Sequence, residues 1–297
     1  MRQIIVFIVC ILVLSSFSTL AKTNLDNIDL KEIKNLYMDD DVPTWSVGDY
    51  WSYEINTLAI DFYQPPQIIS LNLTWDNLKF EVKSIASDTY FIEISGKIDG
   101  SFTFDNGAGL KLSGKLYYNR FSGKMEVSQS DLAFMSGELK LKSIALLKEH
   151  PISLPIPIPM PMTITFNLVN SIPRPFIDFP LFDGKTWFIN ETSISSDLKV
   201  ESIVLKILNI FKPDIPPSLN FDYPIDLPQL FYNASIEDVT VKAGTFSAYN
   251  IVFVEGLIGS IYYAPVVGNM IKAQAEFSVE DMLSFRFNGE LKDYHYT

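Results

Sequence analysis

From Trp45 to the C-terminus, hydrophobic and polar residues mostly alternate one for one. Ile69, Leu71, Leu73 and Trp75 are separated by Ser70, Asn72 and Thr74. Ile98, Gly100, Phe102 and Phe104 are separated by Asp99, Ser101 and Thr103. Leu110, Leu112, Gly114, Leu116 and Tyr118 continue the pattern, as do Leu139 with Leu141, then Met162, Ile164, Phe166 and Leu168, then Phe285, Phe287 and Leu291. Successive side chains of a strand point to opposite faces, so these runs predict strands with one wet and one dry face. That is the pattern of antiparallel sheet.

Asp99-Gly100, Asn106-Gly107, Asp183-Gly184 and Asn288-Gly289 are turn signals. The alternation runs through Gly100 and Gly289, so these two read equally as bulges within strands. Two segments depart from period two. Val200, Ile203, Val204, Ile207, Leu208 and Phe211 recur at helical spacing between Asp197, a fair N-cap, and Pro213, a stop, which predicts a helix over 197–212. A strand remains the alternative there, because Val, Ile and Leu dominate. Pro151, Pro155, Pro157, Pro159 and Pro161 form an extended edge or polyproline-like rod, since proline cannot donate to a sheet ladder. A second proline-rich loop runs from Pro213 to Pro228.

Before Trp45 the pattern is different. Met1-Arg2, the apolar run Ile4 to Leu14, and a small-residue stretch closing at Ala21 have the order of a secretory signal. Val9 precedes Cys10 where a lipid-attachment motif needs a small residue. Residues 1–21 are thus expected to be a signal peptide, with an uncleaved anchor as the alternative. Residues 22–41 are a polar, acidic lead-in, and 42–297 a single large antiparallel β domain with a sub-boundary near 150–177 as the alternative. The address is secreted or cell surface. Asn72, Asn190 and Asn233 open glycosylation sequons.

The chain of 297 residues is 47% hydrophobic with a formal charge of −12 and a mean hydropathy of +0.16. Disorder requires the opposite balance. The negative charge argues against a nucleic-acid partner and against electrostatic docking on anionic lipid, leaving a membrane link only through an uncleaved signal. The one cysteine, Cys10, lies in the signal, so no disulfide or cysteine metal site is expected in the rest.

Chemistry-bearing motifs are scarce. His150 and His295 are the only histidines, with no zinc-binding spacing. No Gly-x-Ser-x-Gly, Walker or Gly-x-Gly-x-x-Gly pattern occurs. Asp39-Asp40-Asp41 lacks a calcium-loop continuation and reads as a solvated turn. No catalytic residue, metal or cofactor is expected.

Four local patterns carry a resemblance: Trp45 to Tyr53 (WSVGDYWSY), Phe179 to Trp187 (FPLFDGKTW), Val241 to Ile251 (VKAGTFSAYNI) and Tyr262 to Lys272 (YYAPVVGNMIK). The last two resemble the PAGTF-x-AY-x-I and YY-x-P-x-VG-x-x-VK strands of uncharacterised exported proteins of archaea and bacteria, related to the lipoprotein-carrier half barrel. The resemblance covers residues 177–297 well and 42–60 weakly. Lys242 stands where that family has Pro, and Val266 where it often has an acid. Gly48, Gly184, Gly244 and Gly268 are read as turn residues, with Trp51, Trp187 and Phe246 anchoring the dry face and Pro265 shaping a bend. The recurrence of Gly48…Trp51 as Gly184…Trp187 hints at an internal repeat.

The combined reading is a mainly β fold: a large curved antiparallel sheet, a half-open barrel, with one or two covering helices and proline-rich loops. Its expected function is a non-enzymatic secreted or cell-surface protein holding a lipid or other hydrophobic molecule in a sheltered groove. Ile156, Ile158, Met160, Val204, Ile207 and Phe211 are the expected groove lining. The alternatives are a structural or adhesive surface module without ligand and a carbohydrate-active protein.

Overall fold

A computed structural model describes residues 42–297 apart from 65–66, 106, 108–110, 150–157, 212, 214–215, 228, 254–257 and 280–282. The expected signal segment and lead-in, Asp39 to Asp41 and most of the expected proline rod lie outside the described residues. Fourteen strands form one antiparallel sheet: β1 (Tyr50–Gln64), β2 (Gln67–Ala86), β3 (Thr89–Asp105), β4 (Lys111–Ser128), β5 (Phe134–Glu149), β6 (Ile158–Asn170), β7 (Thr186–Ile189), β8 (Thr192–Ser202), β9 (Ser218–Leu227), β10 (Leu230–Val241), β11 (Gly244–Phe253), β12 (Ile258–Ala264), β13 (Asn269–Val279) and β14 (Leu283–His295). Among the described residues one α-helix, α1 (Ile203–Phe211), follows β8, and a 3-10 turn occupies Pro265–Val267.

The spatial order is β7-β10-β11-β12-β13-β14-β1-β2-β3-β4-β5-β6-β8-β9. β7 runs into β8 through residues 190–191, and β9 into β10 through 228–229. Because β7 pairs with β10 and β8 with β9, these four strands are one long kinked hairpin. One half of it sits at each end of the sheet's strand order, so the hairpin ties the two edges together in a partial ring.

Sheet parity explains the core. In β1, Trp51, Tyr53 and Ile55 are buried, then Leu58 and Ile60. The switch from odd to even positions falls at a register shift between Ile55 and Leu58. β2 makes the same switch between Trp75 and Leu78. In β4 the buried Leu112 and Leu116 give way to Met125 and Val127 across a shift between Tyr117 and Arg120. An extra residue in one strand re-aims every side chain beyond it, and it sharpens local bending. These irregularities on β1, β2 and β4 keep one face apolar along strands of up to 20 residues. Gly100 and Gly289 are within-strand positions, not hairpin tips. A Cβ at Gly100 would stand 2.2 Å from the carbonyl of Asn72, and one at Gly289 would stand 2.7 Å from Ile55.

The predicted helix over 197–212 is half strand. Residues up to Ser202 pair with β6 on one side and β9 on the other, so two ladders of backbone hydrogen bonds outweigh the helical spacing there. Asp197 lies mid-strand. The cap is Ser202, whose hydroxyl accepts from the Val204 N–H at 3.1 Å and donates to the Pro161 carbonyl at 2.7 Å. Pro159 and Pro161 enter β6, opposite Leu146 and Ile144 of β5. β8 pairs with β6 only from Met162 onward. The two prolines therefore occupy a stretch where β6 is locally an edge.

Candidate functional site: an apolar cavity

The ring shelters two unlike interiors. One lies beneath β10 to β14 and is filled by the segment between β6 and β7. Ile177, Phe179 and Leu181 of that segment are at most 2% exposed. Phe179 packs edge-on against Tyr263, with ring centroids 5.3 Å apart, and Tyr249 donates to the Leu181 carbonyl at 3.1 Å. Trp45 and Trp51 close the other side, 4.9 Å apart. Their indole N–H groups donate to the carbonyls of Gly268 and Val267, each at 2.9 Å. The Tyr53 hydroxyl donates to Met270 at 2.9 Å, and its burial pushes its pKa well up.

The turn motifs lie in this lobe. Gly48 and Gly184 have φ of 100° and 79°, Gly244 and Gly268 143° and 64°. Trp51 and Trp187 are buried and Phe246 packs against the core. The repeat is also backbone geometry. Gly48 N–H donates to Val82, Val82 N–H to Asp49, and Asp49 N–H to Ser46; Gly184, Ala234, Lys185 and Phe182 reproduce the same three bonds. The side chains at the matched positions have opposite charge. Asp49 accepts from the Ser46 N–H at 2.8 Å, whereas Lys185 pairs with Asp178 at 2.9 Å and donates to two backbone carbonyls.

The second interior is the candidate site. β1 to β6, β8 and α1 surround a cavity of about 270 Å³. Its deep wall includes Trp75, Leu78, Phe80, Ile94, Met125 and Leu168, each at most 3% exposed. Towards the β2–β3 strand ends the wall becomes half-buried at Leu71, Phe102 and Phe104, and Ile69 is 36% exposed, which marks the mouth. Leu205 of α1, fully buried, closes part of it. Polar side chains on the lining are few: Ser70, Thr103 and Lys124. A water needs about 10–15 Å³ on this measure and two or more polar partners, so the space is roomy but inhospitable to ordered water. The Trp75 indole N–H is buried without a hydrogen-bond partner. The arrangement offers apolar surface and shape, with almost no groups for acid–base or nucleophilic chemistry. Among the described residues no three His, Cys, Asp or Glu side chains gather to hold a metal.

Of the residues expected to line a groove, Met160 is on the wall and 2% exposed. Val204 is half-buried against the core. Ile207 and Phe211 are 45% and 77% exposed and lie off the wall. Because the helix begins at Ile203, Leu205 turns inward in their place. Ile156 and the side chain of Ile158 lie outside the described residues. Asn72, Asn190 and Asn233 are all exposed. The deep wall was not singled out in the sequence. Its residues carry a dry-face signal, but alternation does not distinguish a face packed solid from one that borders a space.

No family model, no curated protein and no solved structure matches this chain.

Proposed function

We propose that the protein is a non-enzymatic binder of a hydrophobic ligand, such as a lipid, held in the cavity of the β1 to β6 lobe. On this reading it is an exported protein working outside the cytoplasm or on the cell surface, and the ligand is selected by apolar area and shape. The observation that carries the proposal is the cavity itself, about 270 Å³ with an almost wholly apolar wall. Unfilled apolar space costs roughly 24 cal/mol per Å³. A void of this size therefore weighs on the order of 6 kcal/mol, comparable with the whole stability of many domains. An occupant with matching apolar surface removes that cost and is bound by the same amount of burial.

The test is native purification followed by solvent extraction and mass spectrometry, with a fluorescent fatty acid titrated into the extracted protein. A stoichiometric co-purifying amphiphile and saturable uptake are expected. An extract free of amphiphile, together with no uptake, would reject the proposal.

A further inference from the structure

α1 turns only part of its surface inward. Leu205 is fully buried, but Ile203, Ile207, Ile210 and Phe211 are 56%, 45%, 75% and 77% exposed. Positions 203, 207, 210 and 211 fall on one helical stripe, so the helix presents a continuous apolar face to solvent. It stands where β8 ends, beside the cavity mouth.

The surface next to that stripe is cationic. Arg120, Lys142, Thr163 and Glu201 are register partners on β4, β5, β6 and β8 and make one row across four strands. Arg120 thus faces Lys142 directly, a like-charge pairing that a sheet normally avoids. Lys206 of α1 joins them, and all three line an open groove of about 520 Å³ with Ile203. Among the described residues, Arg120 and Lys142 have no carboxylate partner. Glu201, which shares the groove with Lys206, is bound by Lys199 at 3.0 Å. Two residues further from the helix the row reads Ser122, Lys140, Thr165 and Lys199, with Lys140 3.8 Å from Glu138.

We propose that α1 and this cationic row are the surface by which the protein docks on a bilayer containing anionic lipid, with the cavity mouth beside the membrane. The exposed stripe enters the headgroup boundary and the three cations meet lipid phosphates. The net charge of −12 is no obstacle. Charges beyond the screening length of ~8 Å at physiological salt are largely invisible to the patch, so the local sign decides. A second copy of the chain is the poorer occupant, because a two-fold interface built on this face would oppose two unpaired cationic groups. The proposal extends the reading of the cavity as a ligand site without depending on it.

Hydrogen–deuterium exchange of the full chain tests the surface locally, so insertion of the N-terminal apolar segment does not confuse the result. Vesicles of phosphatidylcholine are compared with vesicles carrying about one-third phosphatidylglycerol. Exchange across 203–211 is expected to slow at least about tenfold on the anionic vesicles only. The protection is expected to disappear at high salt, and in Arg120→Glu/Lys142→Glu and Ile210→Asp/Phe211→Asp. These side chains are exposed, and circular dichroism checks that each variant folds. Unchanged exchange on anionic vesicles, equal protection on both vesicle types, or full protection in the charge-reversed variant would each overturn the proposal. Fatty-acid uptake without vesicles is measured in parallel. Loss of uptake with protection intact sinks the cavity reading alone, and the reverse sinks the docking surface alone.

Discussion

The two lobes are made from the same sheet and the same kinds of residue, yet one is filled and the other hollow. In the β10 to β14 lobe the chain returns through the interior after β6, and Ile177, Phe179 and Leu181 occupy it. Trp45 Nε1, Trp51 Nε1 and the Tyr53 hydroxyl there find backbone carbonyls between Val267 and Met270, while Trp187 Nε1 and the Tyr232 hydroxyl are buried without a partner. In the β1 to β6 lobe no chain segment among the described residues enters; the walls face one another across the cavity. The difference teaches that a dry face is only half of a core. What fills it is a matter of where a connection goes, and that connection here is the 15 residues between Asn170 and Thr186.

The sharpest way to break this comparison is to truncate one large side chain in each lobe. Trp51→Ala is expected to cost about 3–5 kcal/mol in denaturant unfolding, since it empties a packed site and orphans the Val267 carbonyl. Leu78→Ala on the cavity wall should sit nearer 2 kcal/mol, because that side chain already lacks partner atoms on one side. Equal costs would mean the lobes are packed alike. Gly268→Ala follows at about 1–3 kcal/mol. Its φ is 64°, and a Cβ would stand 2.5 Å from the Tyr296 ring.

Filling the hollow lobe should do the opposite of emptying the full one. Met160→Trp adds volume towards the cavity and is expected to change stability by less than about 1 kcal/mol, where a packed core would lose 1–3. The same variant should abolish fatty-acid uptake. The smallest effect concerns Glu81, which Lys79 and Lys83 hold below its ordinary pKa of 4.5. A depressed acid contributes stability that is present above 4.5 and fades as pH falls through the lowered value. The three side chains are all partly open to solvent, so Glu81→Gln should remove less than about 1 kcal/mol at neutral pH, and the difference should vanish in acid.

Strand content and the antiparallel sheet were legible because alternation is local: Leu73, Trp75, Ile98 and Phe102 announce their face without reference to partners. The register shifts at Ile55, Trp75 and Tyr117 were not, since a bulge shows itself only against a neighbouring strand. The helix was found but begun too early. Val200 serves both the strand parity of β8 and the helical spacing of α1, and only pairing with β6 and β9 separates the two. The site was the least legible part. Met160 was singled out for its place in a proline-rich stretch, whereas Phe80, Ile94 and Met125 matter because the curvature of β2, β3 and β4 turns their shared dry face towards one space.

The pairing of β1 with β14 has a consequence for how the chain is made. Tyr50 lies opposite His295, and Thr297 donates to Asp49 at 3.1 Å. The seam that joins the halves of the sheet is thus stitched between the first described strand and the last. Contacts of such sequence separation are slow to form, and until β14 emerges one rim of β1 has no mate. The sheet is expected to close only once β14 has been made, so a chain cut short before β14 leaves an open, adhesive β rim.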